Sequence, residues 1–160
     1  MAVLHSSHTG ICVSDLERST AFYRDALGFK QHHRLHFEGE PAATLLQIKN
    51  VELDAVYLER DGTVIELLYF KDRVESRDAI PREVNRLGLT HFSFNVDQIG
   101  EVCRDIEAAG GRVLEQSRVG SFTDSNCVIF VADPDGTLIE LVQSPADPTR
   151  LPLQPDDLER

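Results

Sequence analysis

The sequence predicts an α+β fold made of two tandem modules, each a strand, a helix and three further strands. Three observations predict it. The segments Asp61-Gly62-Thr63-Val64-Ile65-Glu66-Leu67 and Asp135-Gly136-Thr137-Leu138-Ile139-Glu140-Leu141 differ at one position, the mark of an internal duplication. In each half, a histidine-led alternating run (from His8 and from His91) precedes helical apolar spacing. The 160 residues are 41% hydrophobic and 27% charged, which suits one folded domain and excludes disordered or fibrous chains.

The elements follow in order. His8 to Val13 alternates as a strand, and Ser14 or Asp15 caps a helix that runs through Phe22 and Tyr23 to Leu27 and stops at Gly28. Extended segments are expected over Phe29 to Phe37, Ala55 to Glu59 and Thr63 to Phe70, with a short helical insert over Pro41 to Ile48. In the second half a strand from His91 leads to a helix carrying Ile99, Val102, Ile106 and Ala109 on one face, ended by Gly110-Gly111. Strands are then expected over Arg112 to Val119, Cys127 to Ala132 and Leu138 to Gln143. The modules span 4–70 and 90–143 of a single 1–160 domain. A connector, 71–89, has a helical turn over Pro81 to Leu87, and a proline-rich tail covers 144–160.

Side chains alternate across a strand, so His8, Gly10 and Cys12 share one face while Thr9, Ile11 and Val13 share the other. The same parity sets His91, Ser93 and Asn95 opposite Phe92, Phe94 and Val96. The apolar sets should pack on the helices. Glu66 then lies with Val64, Leu68 and Phe70, and Glu140 with Leu138 and Val142. If the halves are copies, His8 matches His91 and Glu66 matches Glu140. Two imidazoles and two carboxylates would suit a divalent zinc, nickel, cobalt, manganese, iron or magnesium ion, with two positions left for water or substrate. His5, His32, His33 and His36 have no counterparts and are read as surface or pocket-rim residues. Phe22, Tyr23 and Ile106 are read as core.

The formal charge of −11 argues against nucleic acid and anionic membranes as partners. Cys12, Cys103 and Cys127 lack metal-knuckle or redox-pair spacing and are expected to be reduced and mostly buried, Cys12 as a small filler on the site face. The N-terminus lacks a secretory pattern, and no apolar run is long enough to span a bilayer, so the expected location is the cytoplasm.

The stretches His8 to Leu16, Ala21 to Phe29, Thr90 to Val96 and Asp133 to Leu141 resemble the vicinal oxygen chelate superfamily. Its members include glyoxalase I, methylmalonyl-CoA epimerase, extradiol dioxygenases and the fosfomycin and bleomycin resistance proteins. The resemblance covers about residues 5 to 143 and implies paired βαβββ modules that form a cupped mixed sheet around a metal, often in a homodimer. It implies His8, Glu66, His91 and Glu140 as ligands, a set like that of glyoxalase I and close to that of the epimerase. Where bacterial glyoxalase I places an arginine and an asparagine for glutathione, this chain has Cys12 and Phe70.

The expected activity is therefore metal-dependent proton transfer next to a carbonyl, as in an isomerase, epimerase or lyase. The expected substrate is a small acyl or 2-oxo compound rather than a glutathione adduct. Glu140 is the preferred base and Glu66 its possible return donor, with Leu68, Phe70, Ser93, Asn95 and Val142 around the substrate. Two other classes fit the resemblance: an iron-dependent extradiol dioxygenase acting on an aromatic diol, and a non-catalytic ligand-binding protein of the resistance type.

Overall fold

The strands that follow the two histidines and those that carry the two glutamates are parallel neighbours, one such pair in each of two sheets. The computed structural model describes residues 3–73 and 83–145. The first module comprises β1 (Thr9–Cys12), α1 (Leu16–Asp25), β2 (Lys30–Glu38), α2 (Gly39–Leu46), β3 (Glu52–Arg60) and β4 (Thr63–Phe70). Its sheet runs β1-β4-β3-β2, with β1 parallel to β4 and the remaining pairs antiparallel. The second comprises β5 (Phe92–Asn95), α3 (Ile99–Ala108), β6 (Arg112–Val113), a 3₁₀ turn (Glu115–Ser117), β7 (Val119–Gly120), β8 (Cys127–Ala132) and β9 (Leu138–Gln143). Its order is β5-β9-β8-β6, with β7 also paired to β8. The parallel β5–β9 pair repeats the β1–β4 arrangement.

Local chemistry accounts for the boundaries. The Asp15 side chain accepts from the backbone N–H of Arg18 at 3.0 Å, so Asp15 is the cap of α1. α2 begins two residues before Pro41 and ends at Leu46, ahead of the expected Ile48, because Gln47 turns left-handed at φ 56°. The strand expected over Arg112 to Val119 is broken in two. The Ser117 hydroxyl donates to the Leu114 carbonyl and accepts from the Phe130 N–H, taking the place of a ladder partner. The helical turn expected over Pro81 to Leu87 lies partly outside the described residues, and residues 83–89 make turns and bends without a helix. Most of the tail, from residue 146, also lies outside the described residues.

The helix-bearing faces of the two sheets share one continuous core. It includes Ile11, Val13, Phe22, Phe29, Ile65 and Leu67 of the first module and Ile99, Ile106, Ile129, Ile139 and Leu141 of the second. Burying each such side chain is worth about 1.5–3 kcal/mol. Polar clips join the modules as well. Tyr23 donates its hydroxyl to the fully buried Asp133 at 3.0 Å. Ser14 and Arg18 both donate to Asp135. Burial holds the Asp133 carboxyl above its ordinary range, against the N–H groups and hydroxyls that favour its charged form. None of the three cysteines is in a disulfide; Cys103 and Cys127 are buried and Cys12 is exposed. No helix among the described residues is long and apolar enough to cross a membrane.

Candidate functional site

Because the core takes Ile65 and Leu67, alternation along β4 turns Glu66 to the other face of the first sheet. Glu66 lies beside Gly10 of β1, and His8, just before that strand, brings its Nε2 to 3.1 Å from Glu66 Oε2. On its other side Glu66 lies directly across the ladder from Tyr57 of β3. Burial and the neighbouring Glu66 carboxylate push the Tyr57 hydroxyl up to about 12, so it keeps its proton and can donate. The His8 ring meets Tyr57 edge to face at 5.4 Å, and His33 stacks on Tyr57 at 4.7 Å. His33 reaches that position because a β-bulge at His32 shifts the β2 register between Gln31 and His33.

The second sheet repeats this geometry. Ile139 and Leu141 enter the core, so Glu140 faces out, beside Ser93 of β5 and opposite Phe130 of β8. His91 Nε2 lies 3.8 Å from Glu140 Oε2, and its ring meets Phe130 edge to face at 5.1 Å. Ser93 donates its hydroxyl to Glu140 at 2.7 Å. A hydroxyl also sits at Nδ1 of each imidazole: Ser7 at 3.0 Å from His8 and Thr90 at 2.9 Å from His91. When Nδ1–H donates to that hydroxyl, Nε2 keeps its lone pair toward the glutamate, the arrangement a metal ligand needs. The repeated hydroxyl–histidine dipeptides were a signal in the sequence that alternation alone did not pick out.

The donor set fits a divalent cation. Two cis ligands each about 2.1 Å from an ion stand about 3 Å apart, and the His8–Glu66 spacing of 3.1 Å matches that. The His91–Glu140 spacing of 3.8 Å needs a small side-chain adjustment. The chain brings the four residues together as two pairs, not as one quartet: among the described residues no group of three or more His, Cys, Asp or Glu side chains is placed to hold an ion. The modules join through their helix-bearing faces, which sends the two histidine–glutamate faces outward on separate sheets. β1 and β5, which lead from the two histidines, are both edge strands.

The residues expected around a substrate divide between these faces. Leu68 and Phe70 continue from Glu66 into a second apolar cluster with Leu53, Phe37 and, from α2, Ala42 and Leu46. The contribution of α2 and Phe37 was not evident from the sequence. Ser93 and Asn95 are exposed on the Glu140 side, with Val142 half-buried opposite Asn95. Asn95 also lines a cavity of about 550 Å³ between β5 and the Asp61–Gly62 turn, beside Arg60. Cys12 pairs with Leu68 on the Glu66 side. His5, His32 and His36 are exposed, and His36 pairs with Asp54 at 3.0 Å.

Residues 5–141 match the model of the Glyoxalase/Bleomycin resistance protein/Dioxygenase superfamily. The chain is 32% identical over 139 residues to a probable lactoylglutathione lyase from Vibrio parahaemolyticus, covering 86% of this chain and 88% of that protein. It is 34% identical over 138 residues to a lactoylglutathione lyase from Salmonella typhimurium, covering 86% and 90%. Its fold is similar to the crystal structure of a glyoxalase family protein from Bacillus cereus, with a TM-score of 0.75 at 21% identity over 89% of this chain and 95% of that one. A fosfomycin resistance protein from Listeria monocytogenes, solved with Mn(II) and sulfate, aligns with a TM-score of 0.56 at 16% identity over 92% and 98%.

Proposed function

Because this chain belongs to the glyoxalase/bleomycin resistance protein/dioxygenase superfamily, we propose that it is a divalent-metal-dependent enzyme that moves a proton next to a carbonyl, as a lyase, isomerase or epimerase. The observation that carries this reading is the pair of equivalent half-sites, His8 with Glu66 and His91 with Glu140, each built at the same strand positions of its module. His8, Glu66, His91 and Glu140 would hold the ion. Zinc, nickel, cobalt, manganese, iron and magnesium all accept such nitrogen and oxygen ligands. The half-sites are joined in a homodimer, the free edges of β1 and β5 bringing one protomer's pair to the other pair of its partner.

A bound divalent ion supplies Lewis-acid stabilisation of the negative charge that gathers on a substrate carbonyl oxygen. The protein does the rest. Glu140 accepts the proton from the carbon next to the carbonyl, and the electron pair of the broken C–H bond moves toward that carbonyl. Either Glu140 gives this proton back to the substrate, or Glu66 delivers a second proton from the opposite face and Glu140 keeps the first. His8 and His91 are held by Ser7 and Thr90, and Ser93 aims the Glu140 carboxylate. Asn95 and Val142 flank the reacting end of the substrate, and Leu68 and Phe70 cover its apolar part.

The substrate class is a small acyl or 2-oxo compound with an apolar portion. Cys12 and Phe70 offer no charged or amide partner for the ends of glutathione, and Phe70 belongs to an apolar cluster. That Cys12, Cys103 and Cys127 form no disulfide suits a reducing cytoplasm.

The test is deuterium exchange. Zn²⁺-loaded protein incubated in D₂O with 2-oxo acids and acyl thioesters should wash deuterium into the carbon next to the carbonyl, followed by NMR. Exchange should stop with a chelator and fall at least about 10²-fold in Glu140→Gln, the usual scale of lost general-base catalysis, while the fold persists. Wild-type exchange in that variant would refute the assignment of Glu140. Oxygen uptake with catechols and ferrous iron, without exchange, would refute the proton-transfer reading.

A further inference from the structure

We infer that Tyr57 is a positioning residue for Glu66, and that the duplicated modules hold their two carboxylates by different devices: Glu66 by a phenol from β3, Glu140 by the Ser93 hydroxyl from β5. The inference rests on the proposed metal site and adds a residue to it.

Tyr57 and Phe130 occupy equivalent places. Each lies directly across an antiparallel pair from its module's glutamate, Tyr57 from Glu66 and Phe130 from Glu140. Each presents its ring to its module's histidine in the same way, at 5.4 Å and 83° for His8–Tyr57 and 5.1 Å and 84° for His91–Phe130. A phenyl ring therefore satisfies the packing at this position. What Tyr57 adds is a hydroxyl, carried on a ring that stands across the ladder from Glu66 and against the histidine whose Nε2 is 3.1 Å from that carboxylate. The other donor position is exchanged in the opposite sense. Ser93, beside Glu140 on the parallel neighbour, corresponds to Gly10 beside Glu66, which has no side chain to donate. One donor per carboxylate is kept, but it comes from the other flanking strand.

The first module also braces its donor. His33 lies nearly parallel to the Tyr57 ring, at 4.7 Å and 23°, and it is there because of the bulge at His32. A braced phenol fixes a carboxylate more firmly than a serine hydroxyl that is free to rotate. Burial differs in the same sense: the Glu66 side chain is 11% exposed and the Glu140 side chain 27%. Glu66 is thus the ligand held in place, and Glu140 the one with freedom to leave its position and take a proton.

The test is competition for Zn²⁺ between the full-length protein and a chelating dye. Tyr57→Phe should weaken Zn²⁺ binding about 10–100-fold, the scale expected when the partner of a ligand is lost, with the thermal melt of the metal-free protein unchanged. Gly10→Ser in the Tyr57→Phe background should recover affinity by supplying the hydroxyl from β1. Its new Cβ would meet only the tip of Leu68, at 3.2 Å. In a Glu66→Ala background Tyr57→Phe should have no further effect, because its acceptor is gone. Wild-type Zn²⁺ affinity in Tyr57→Phe, alongside impaired binding in His8→Ala, would overturn this inference alone. An undiminished Tyr57→Phe effect in the Glu66→Ala background would also overturn it. Intact Zn²⁺ binding in His8→Ala and Glu66→Ala would instead remove the metal site and the inference with it.

Discussion

Replacing Tyr23 by phenylalanine removes one oxygen from the seam between the modules and leaves the ring in place. That ring stands edge to face with Phe22 at 5.2 Å and Phe29 at 5.9 Å, contacts that phenylalanine keeps. The lost bond is the 3.0 Å donation to Asp133, whose side chain has no contact with solvent. A hydrogen bond to a buried charge contributes about 1.5–3 kcal/mol. Asp133 retains the backbone N–H groups of Asp135 at 2.9 Å and Thr137 at 2.7 Å, so a loss of about 2 kcal/mol is expected. For a chain of this size that lowers the melting temperature by about 4–8 °C. The loss should also depend on pH. Burial raises the native Asp133 pKa above its unfolded value, so the native state binds the proton more readily. The stability this contributes is fully present below the unfolded value, about 3.9, and is lost as pH rises through the native one. Tyr23 opposes the shift by stabilising the charged form. Without it the native pKa moves higher still, and the gap between variant and wild type widens from acid to neutral pH. Urea denaturation followed by circular dichroism at pH 5 and pH 7.5 measures both quantities. A neutral-pH loss below about 0.5 kcal/mol, under the range for such bonds, or a gap equal at the two pH values, would refute the reasoning.

Gly111→Ala should destabilise the same seam by about 1–3 kcal/mol through overpacking. The added methyl would fall 2.7 Å from the Ala132 carbonyl, 2.7 Å from Phe22 and 2.9 Å from Ile106, and calorimetric melting would read the loss. Ser93→Ala should slow deuterium exchange about tenfold, one charge-assisted hydrogen bond's worth of alignment, with little change in KM. Steady-state exchange rates over a range of substrate concentrations separate those effects.

Some of the arrangement around Glu66 was legible before any coordinates. A two-residue Asp61–Gly62 turn pairs Arg60 with Thr63, and counting back three residues on either strand sets Tyr57 opposite Glu66. The second module resists that count. Five residues separate β8 from β9, and the Asp133 carboxylate organises them by accepting from the N–H groups of Asp135 and Thr137. The bulge at His32 is hidden for a different reason. β2 is exposed along nearly its whole length, so its pattern carries no buried positions from which a register change could be noticed.

Duplication and strand parity, both local properties of the chain, determined that each half carries a histidine and a glutamate on the face opposite its helix. Parity assigns side chains to a face, but it is silent on which faces of two sheets meet. Only the tertiary structure decided that. Phe22, Phe29, Ile99 and Ile106 bury the most apolar area when the helix-bearing sides close on each other. The two histidine–glutamate faces therefore end on the outside, each holding half of the candidate site.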